Sequence, residues 1–196
     1  MKTSPTLLLT TFLVVSSCVS CNNQSSDSAK LSENGLVDIF AQDLYIEQKT
    51  NDLKINPLVE GKAINQEILL SNLLKQEHKI SILRINDSNC TLCIEAELED
   101  VIFFKSILND SKIAIFATFN SKRSLNLMLK GLAELNIPVF LIKDRELNLP
   151  IEQINAPYYF SLNQEYIINN SFIPIKGLEA ISKSYFKAMA DAYNSR

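Results

Sequence analysis

The 196-residue chain has a single histidine, His78, and no tryptophan. One imidazole excludes metal centres and catalytic relays that need two or more. Four glycines are too few for a collagen-like or glycine-rich disordered chain. Excess positive charge is also lacking. Lys and Arg number 19 against 22 acidic residues, the net charge is −3 and the pI is near 5.3. Scattered cations on a weakly acidic chain cannot set up the field that captures phosphate backbones, so nucleic acid is excluded as a partner. What is present is ordinary globular material, 46% apolar and 21% charged. That is enough for one well-filled core, and the expectation is one domain with appendages. No internal repeat is evident.

The N-terminus carries one early lysine, an apolar stretch from Leu7 to Val15, and then Ser16-Ser17 before Cys18. The stretch is too short to cross ~30 Å of hydrocarbon as a stable helix and has the three parts of a removable secretory signal, residues 1–17. Val15-Ser16-Ser17-Cys18 resembles the bacterial lipobox. That resemblance implies lipidation of Cys18; Cys21 is the alternative, although Cys18-Val19-Ser20 fits the upstream pattern less well, and a soluble secreted form cut nearby stays open. Each buried methylene of an acyl chain adds ~0.8 kcal/mol, so such chains hold a domain at a bilayer without a spanning helix. Asn22 to Lys30 has no apolar residue larger than alanine, and 18–30 reads as a lipidated tether. The expected location is the bacterial cell envelope, as a periplasmic or outer-membrane lipoprotein that meets the membrane through its anchor.

Residues 31–196 form the expected domain, with its core at about 56–196. Leu36, Ile39, Phe40 and Leu44 have helical spacing while 43–48 alternates like a strand, so a short helix or lead-in is expected there. Pro57 and Gly61 break the next segment, and Ile68-Leu69-Leu70 with Leu73-Leu74 suggests a small strand or turn followed by an apolar segment, which an N-terminal hairpin laid on the main sheet would accommodate.

Punctuation then becomes regular. Lys79 to Asn86 is a buried strand, and Ile94, Leu98, Val101, Phe104 and Leu108 stripe a helix. Lys112 to Phe119 is a second strand, Asn120 or Ser121 a cap, and Leu125, Met128, Leu129, Leu132 and Leu135 a second helix. Pro138 to Ile142 is a third strand. This alternation forces parallel pairing, because parallel neighbours need a long crossover. Tyr158 to Leu162 and Tyr166 to Asn170 are spaced for an antiparallel hairpin, and a last helix from about Gly177 is expected to use Leu178, Ile181, Tyr185, Ala188 and Ala192 on one face. The fold class is α/β, a mixed central sheet with helices on both faces and a C-terminal β-hairpin plus helix.

Cys90-Thr91-Leu92-Cys93 stands where the first core strand passes into its helix. The spacing alone is weak evidence, but the placement strengthens it. Unpaired N–H groups and the positive end of the helix dipole favour a thiolate, the reactive form of cysteine, and one turn brings the second sulfur within reach of the first. A structural disulfide stays open, although so small a ring constrains little of the unfolded chain. A zinc site would need two more ligands, and Cys18 and Cys21 lie in the signal and tether. Glu95, Glu97, Glu99 and Asp100 read as an acidic first turn complementing the helix dipole. His78, flanked by Glu77 and Lys79, reads as a solvated loop residue.

Strand, Cys90-x-x-Cys93 opening a helix, βαβ, then Ala156-Pro157 before a hairpin and C-terminal helix resembles the thioredoxin superfamily, in particular its membrane-anchored TlpA/ResA-like, redoxin-type branch. The resemblance spans about residues 56–196. It implies Cys90 as the attacking thiol, Cys93 as the resolving thiol, and Pro157, after Ala156, as a cis-proline facing them where substrate binds. It implies a thiol-disulfide oxidoreductase with no separate cofactor, the Cys90–Cys93 disulfide being the redox group, with protein thiol or disulfide substrates and an upstream electron donor. Three positions depart from the family pattern. Asn89 replaces an aromatic residue, Leu92 a proline, and Ala96 the acid usual three residues past the second cysteine. Acids surround the motif and no Lys, Arg or His lies between Asn86 and Glu99, which favours a reductant over an oxidant. The alternative is a non-catalytic thioredoxin-like lipoprotein that binds peptide or protein and holds a structural Cys90–Cys93 disulfide.

Overall fold

The structure, a computed structural model, describes residues 33–56, 63–89, 91–108, 112–121, 123, 125–126, 130, 136–175 and 177–194. The signal (1–17), Cys18, Cys21, the tether and Cys90 lie outside the described residues, as does most of the second expected helix.

Five strands form one sheet in the order β3-β2-β1-β4-β5. They are β1 (Lys79–Asn86), β2 (Ile113–Thr118), β3 (Val139–Leu141), β4 (Tyr158–Asn163) and β5 (Ile168–Phe172). The first three run parallel, while β4 and β5 are antiparallel, so the strand direction changes between β1 and β4. Ile82 lies opposite Ala114 on one side and Phe160 on the other. The central strands are buried on both faces, which is why they read as nearly continuous apolar runs.

Successive side chains feed two separate cores. Ile80, Ile82, Phe116, Phe160 and Leu162 face helix α2 (Leu70–Glu77) and a 3-10 turn at Pro150–Gln153. Leu83, Ile85, Ile115 and Tyr159 face helices α3 (Thr91–Ile107) and α4 (Glu179–Asn194). Phe104 of α3 stacks on Phe186 of α4 with ring centroids 4.9 Å apart, and Tyr159 meets Phe186 edge-on, also at 4.9 Å. This is the α/β architecture expected from the sequence, a mixed sheet with helices on both faces and the C-terminal hairpin and helix in place.

The lead-in is one helix, α1 (Glu33–Thr50), and the strand-like alternation over 43–48 is overridden. Glu47 accepts from the Ile173 N–H and Asn51 from the Ser171 N–H, tying the end of α1 to β5. The expected N-terminal hairpin is absent among the described residues. Instead, Lys54 bridges Ile167 beside β5, and the Ile64 N–H donates to Val139 O on β3. Two short segments thus cover the two sheet edges, which would otherwise expose unpaired backbone. The last strand begins later than expected, at Ile168, because Tyr166 takes a positive φ of 63° in the turn after β4. The buried face of α4 matches the expected one only in part: Leu178 and Tyr185 are half-buried, and Tyr185 packs against the core. Ser182, Phe186, Met189, Ala190 and Tyr193 are buried while Ile181, Ala188 and Ala192 are exposed, because the two large aromatics Phe186 and Tyr193 set the rotation. His78 is exposed, as expected; it ends α2 and its Nδ1 lies 2.7 Å from Gln164 Nε2. Among the described residues no helix is long and apolar enough to cross a membrane.

Candidate functional site

β1 delivers the chain to the carboxyl end of the parallel strands, where sites in open α/β sheets form. A tight polar turn follows. The Asn86 N–H donates to Asn89 Oδ1 at 2.8 Å, and Asn86 Oδ1 accepts from the Ser88 and Asn89 N–H groups. Asn89, standing where the resemblance expects an aromatic, is buried and closes this turn. α3 then starts at Thr91, which puts Cys93 in its first turn. Cys93 is half-buried and disulfide-bonded.

The turn is laced to the loop ahead of β4. Ser88 Oγ donates to Asn155 Oδ1 at 2.6 Å, Asn89 Nδ2 to the same oxygen at 3.3 Å, and Asn155 Nδ2 to Ser88 O at 3.2 Å. Ala156 and Pro157 come next in that loop, with Pro157 buried. One cavity of about 360 Å³ is lined by Leu92, Cys93, Ala156 and Pro157 together with residues of α3 and α4. The fold therefore brings together Cys93, Ala156 and Pro157, while Cys90, Cys18 and Cys21 lie outside the described residues.

The expected cis-proline is corrected. No cis peptide bond occurs among the described residues, so Ala156–Pro157 is trans. The trans form is intrinsically preferred by ~0.5–1 kcal/mol. Here the Ala156 N–H donates back to Ile154 O at 2.8 Å, so a tight turn reverses the chain into β4 with ordinary peptide geometry.

The acidic residues after Cys93 are also placed differently from expectation. None lies in the first turn of α3. Dipole complementarity fades beyond that turn, so it does not account for them. Glu97 instead points inward from the second turn. It is 8% exposed, its Oε2 has no hydrogen-bond partner, and it lines the cavity that Cys93 lines. Burial pushes its carboxyl up to about 7; the Tyr159 hydroxyl beside it works against this, and the charge of Asp100 adds to it.

On the opposite face of β1, Arg84 is buried. Its guanidinium donates to Thr118 Oγ1 at 2.8 Å and to Ile85 O at 2.5 Å, and its Nε lies 3.6 Å from Glu152 Oε1. Thr118 Oγ1 donates onward to Ile142 O at 2.8 Å. Arg84 thereby ties the carboxyl ends of β1, β2 and β3 to the 3-10 turn that leads into the Ala156–Pro157 loop. Burial raises the Glu152 carboxyl despite the opposing pull of Arg84. Removing one member of such a buried pair typically costs about 3–5 kcal/mol, because the other charge is left uncompensated.

Sequence reasoning missed Glu97, the Arg84–Glu152 pair and the Asn155 lacing. Glu97 had a readable signal: it lies three residues past Ile94 and four before Val101, inside the apolar stripe of α3. Arg84 had one too, as a lone charge inside a β-branched run. Among the described residues, no group of three or more His, Cys, Asp or Glu side chains is placed to hold a metal. The cavity beside β3, about 690 Å³, is lined by Asn65, Gln66 and Asn126 among others, and none of its described lining residues is a cysteine.

No protein-family model matches the sequence, and no curated protein matches it. Solved structures do resemble it. A candidate thiol-disulfide oxidoreductase from Bacteroides vulgatus aligns at 12% identity with TM-score 0.47, over 68% of this chain and 90% of that one. The exposed lipoprotein thioredoxin of Streptococcus pneumoniae aligns at 16% identity and TM-score 0.43, over 65% and 97%. StoA from Bacillus subtilis aligns at 19% identity and TM-score 0.43, over 63% and 92%.

Proposed function

We propose that this protein is a thiol-disulfide oxidoreductase of the bacterial cell envelope, held at a membrane by a lipid on Cys18, and that Cys90 and Cys93 are its redox pair. The reading rests on one observation: Cys93, in the first turn of the helix that follows β1, shares a cavity with Ala156 and Pro157.

In the reductive direction, the Cys90 thiolate attacks one sulfur of a partner disulfide. A mixed disulfide forms and the other partner sulfur leaves as a thiolate, which takes up a proton. The Cys93 thiolate then attacks Cys90 Sγ, and the second partner sulfur leaves in turn. The partner has gained two electrons and the protein ends as the Cys90–Cys93 disulfide, which an upstream dithiol donor must reduce again. Reduction is the favoured direction because the sequence beside the motif supplies no cation to add to a helix N-terminus in stabilising a thiolate. Asp87 precedes the motif, Glu95, Glu97, Glu99 and Asp100 follow it, and no cation lies between Asn86 and Glu99. A thiolate stabilised so little leaves the thiol less acidic than in strongly oxidising relatives, and the reduction potential lower.

Insulin reduction in the presence of dithiothreitol tests the reading. Wild-type chain should accelerate precipitation of the insulin B chain, and Cys90→Ser should fall to the uncatalysed rate. Equal acceleration by both would sink the proposal, and none by either would favour a non-catalytic binding lipoprotein.

A further inference from the structure

We infer that the cavity beside Cys93 is a subsite for the side chain of a Lys or Arg neighbouring the target cysteine of a partner protein, with Glu97 as its counter-charge. The identity of that partner cysteine rests on the disulfide-exchange reading above; the subsite itself rests on the cavity.

Its walls and its floor differ in chemistry. Leu92, Ala96, Pro157, Pro174 and Ile175 offer apolar surface, and Leu92 is 68% exposed although it is a large aliphatic side chain. Such walls suit the methylene stem of a long cationic side chain, which packs against apolar surface while its head seeks a polar partner. On the floor, Glu97 supplies that partner. It is buried to 8% exposure, lines the cavity and has an Oε2 without any hydrogen-bond partner. A buried acceptor left unmade is costly, and a donor arriving from a ligand would remove that cost.

The rim selects the sign of that donor. Glu99, Asp100 and Glu179 also line the cavity, and no Lys, Arg or His is among the described residues that do. Lys183 acts on Asp100 from α4 and lies over the Phe103 ring at 5.9 Å, and among the described lining residues Glu97, Glu99 and Glu179 meet no cation. An acidic side chain entering here meets like charge, and an aliphatic one leaves Glu97 unpaired. An ammonium or guanidinium satisfies both the floor and the rim. The protonation equilibrium of Glu97, placed about pH 7, supports this, since an incoming cation would draw it to the ionised form.

Binding can be separated from exchange by using peptides without a thiol. The probes are acetyl-Ala-Val-Ser-Lys-Ala-amide and its analogues with Glu or Ala in place of Lys, titrated into the oxidised full chain at pH 7.5 and low salt. The Lys peptide is expected to bind at least tenfold more tightly than the Ala peptide, and the Glu peptide more weakly than either. In Glu97→Gln, an isosteric change, the ratio of Lys to Ala affinity should fall close to one. Equal affinity for all three peptides would overturn the inference, as would a Lys preference undiminished in Glu97→Gln. Failure of the exchange reading shows up separately, as absent insulin reduction with the charge preference intact, which upholds the cation subsite and removes its link to thiol chemistry.

Discussion

Glu97 is the side chain on which folding and function bear at once. Its carboxyl, ordinarily near 4.5, is pushed up to about 7 in the fold, chiefly by burial. Between those values the folded protein holds a proton that the unfolded chain has released, so stability rises as pH falls through 7 and levels off near 4.5. A tenfold change in a protonation equilibrium corresponds to ~1.4 kcal/mol, which makes the whole window worth on the order of 3 kcal/mol. Asp100 is raised as well and acts in the same sense; among the described residues, Glu99, Glu179, Lys183 and the Tyr159 hydroxyl are other charged and polar groups that act on them or line the cavity. Glu97→Gln should therefore be more stable than wild type at pH 8, by about 1–3 kcal/mol, and should lose most of the slope between about pH 5 and 7. Urea unfolding at several pH values measures this; parallel profiles for the two proteins would contradict the buried-carboxylate account. In the sequence Glu97 was hidden by its neighbours. Four acids within Glu95–Asp100 suggest a solvated face, and only the helical phase fixed by Ile94 and Val101 shows that one of them turns inward.

Among the elements, β1 was readable end to end because Lys79–Asn86 is β-branched and buried on both faces, so no alternation was needed to recognise it. The site turn was readable as a turn but not as a lock, since the Asn155–Ser88 lacing joins loops 67 residues apart. The N-terminal edge segments left no trace because pieces as short as Lys54 and Ile64 have no period. α4 shows how a face can be misread. Leu178, Ile181, Tyr185, Ala188 and Ala192 form a credible stripe, yet its neighbour, carrying Phe186, Met189 and Tyr193, displaces it by burying larger rings. The two stripes separate experimentally. Phe186→Ala removes a ring that touches Phe104, Tyr159 and Tyr185 and should cost about 3–5 kcal/mol. Ile181→Ala, on the exposed face, should change stability by no more than about 0.5 kcal/mol. Guanidinium titration of both variants gives the comparison, and similar losses would restore the expected face.

At the scale of the whole molecule, a net charge of −3 conceals where the acids lie, because several of them crowd the one cavity that carries a thiol-derived sulfur among the described residues. The anchor proposal belongs to this scale as well, since it decides which compartment the cavity faces. Palmitate labelling of the expressed precursor should be lost in Cys18→Ala and retained in Cys21→Ala; the opposite pattern would move the anchor to Cys21, and no labelling of wild type would remove it.

The central claim is that Cys90 and Cys93 act in order on one partner disulfide, and trapping tests it most directly. In Cys93→Ser the second attack cannot occur, so incubation of the reduced full chain with a disulfide-bonded peptide should accumulate a covalent adduct, released by dithiothreitol and mapped by mass spectrometry to Cys90. Wild type should show no lasting adduct under the same conditions. If Cys93→Ser formed none, or formed it only on another cysteine, the assignment of Cys90 as attacking thiol and Cys93 as resolving thiol would be contradicted.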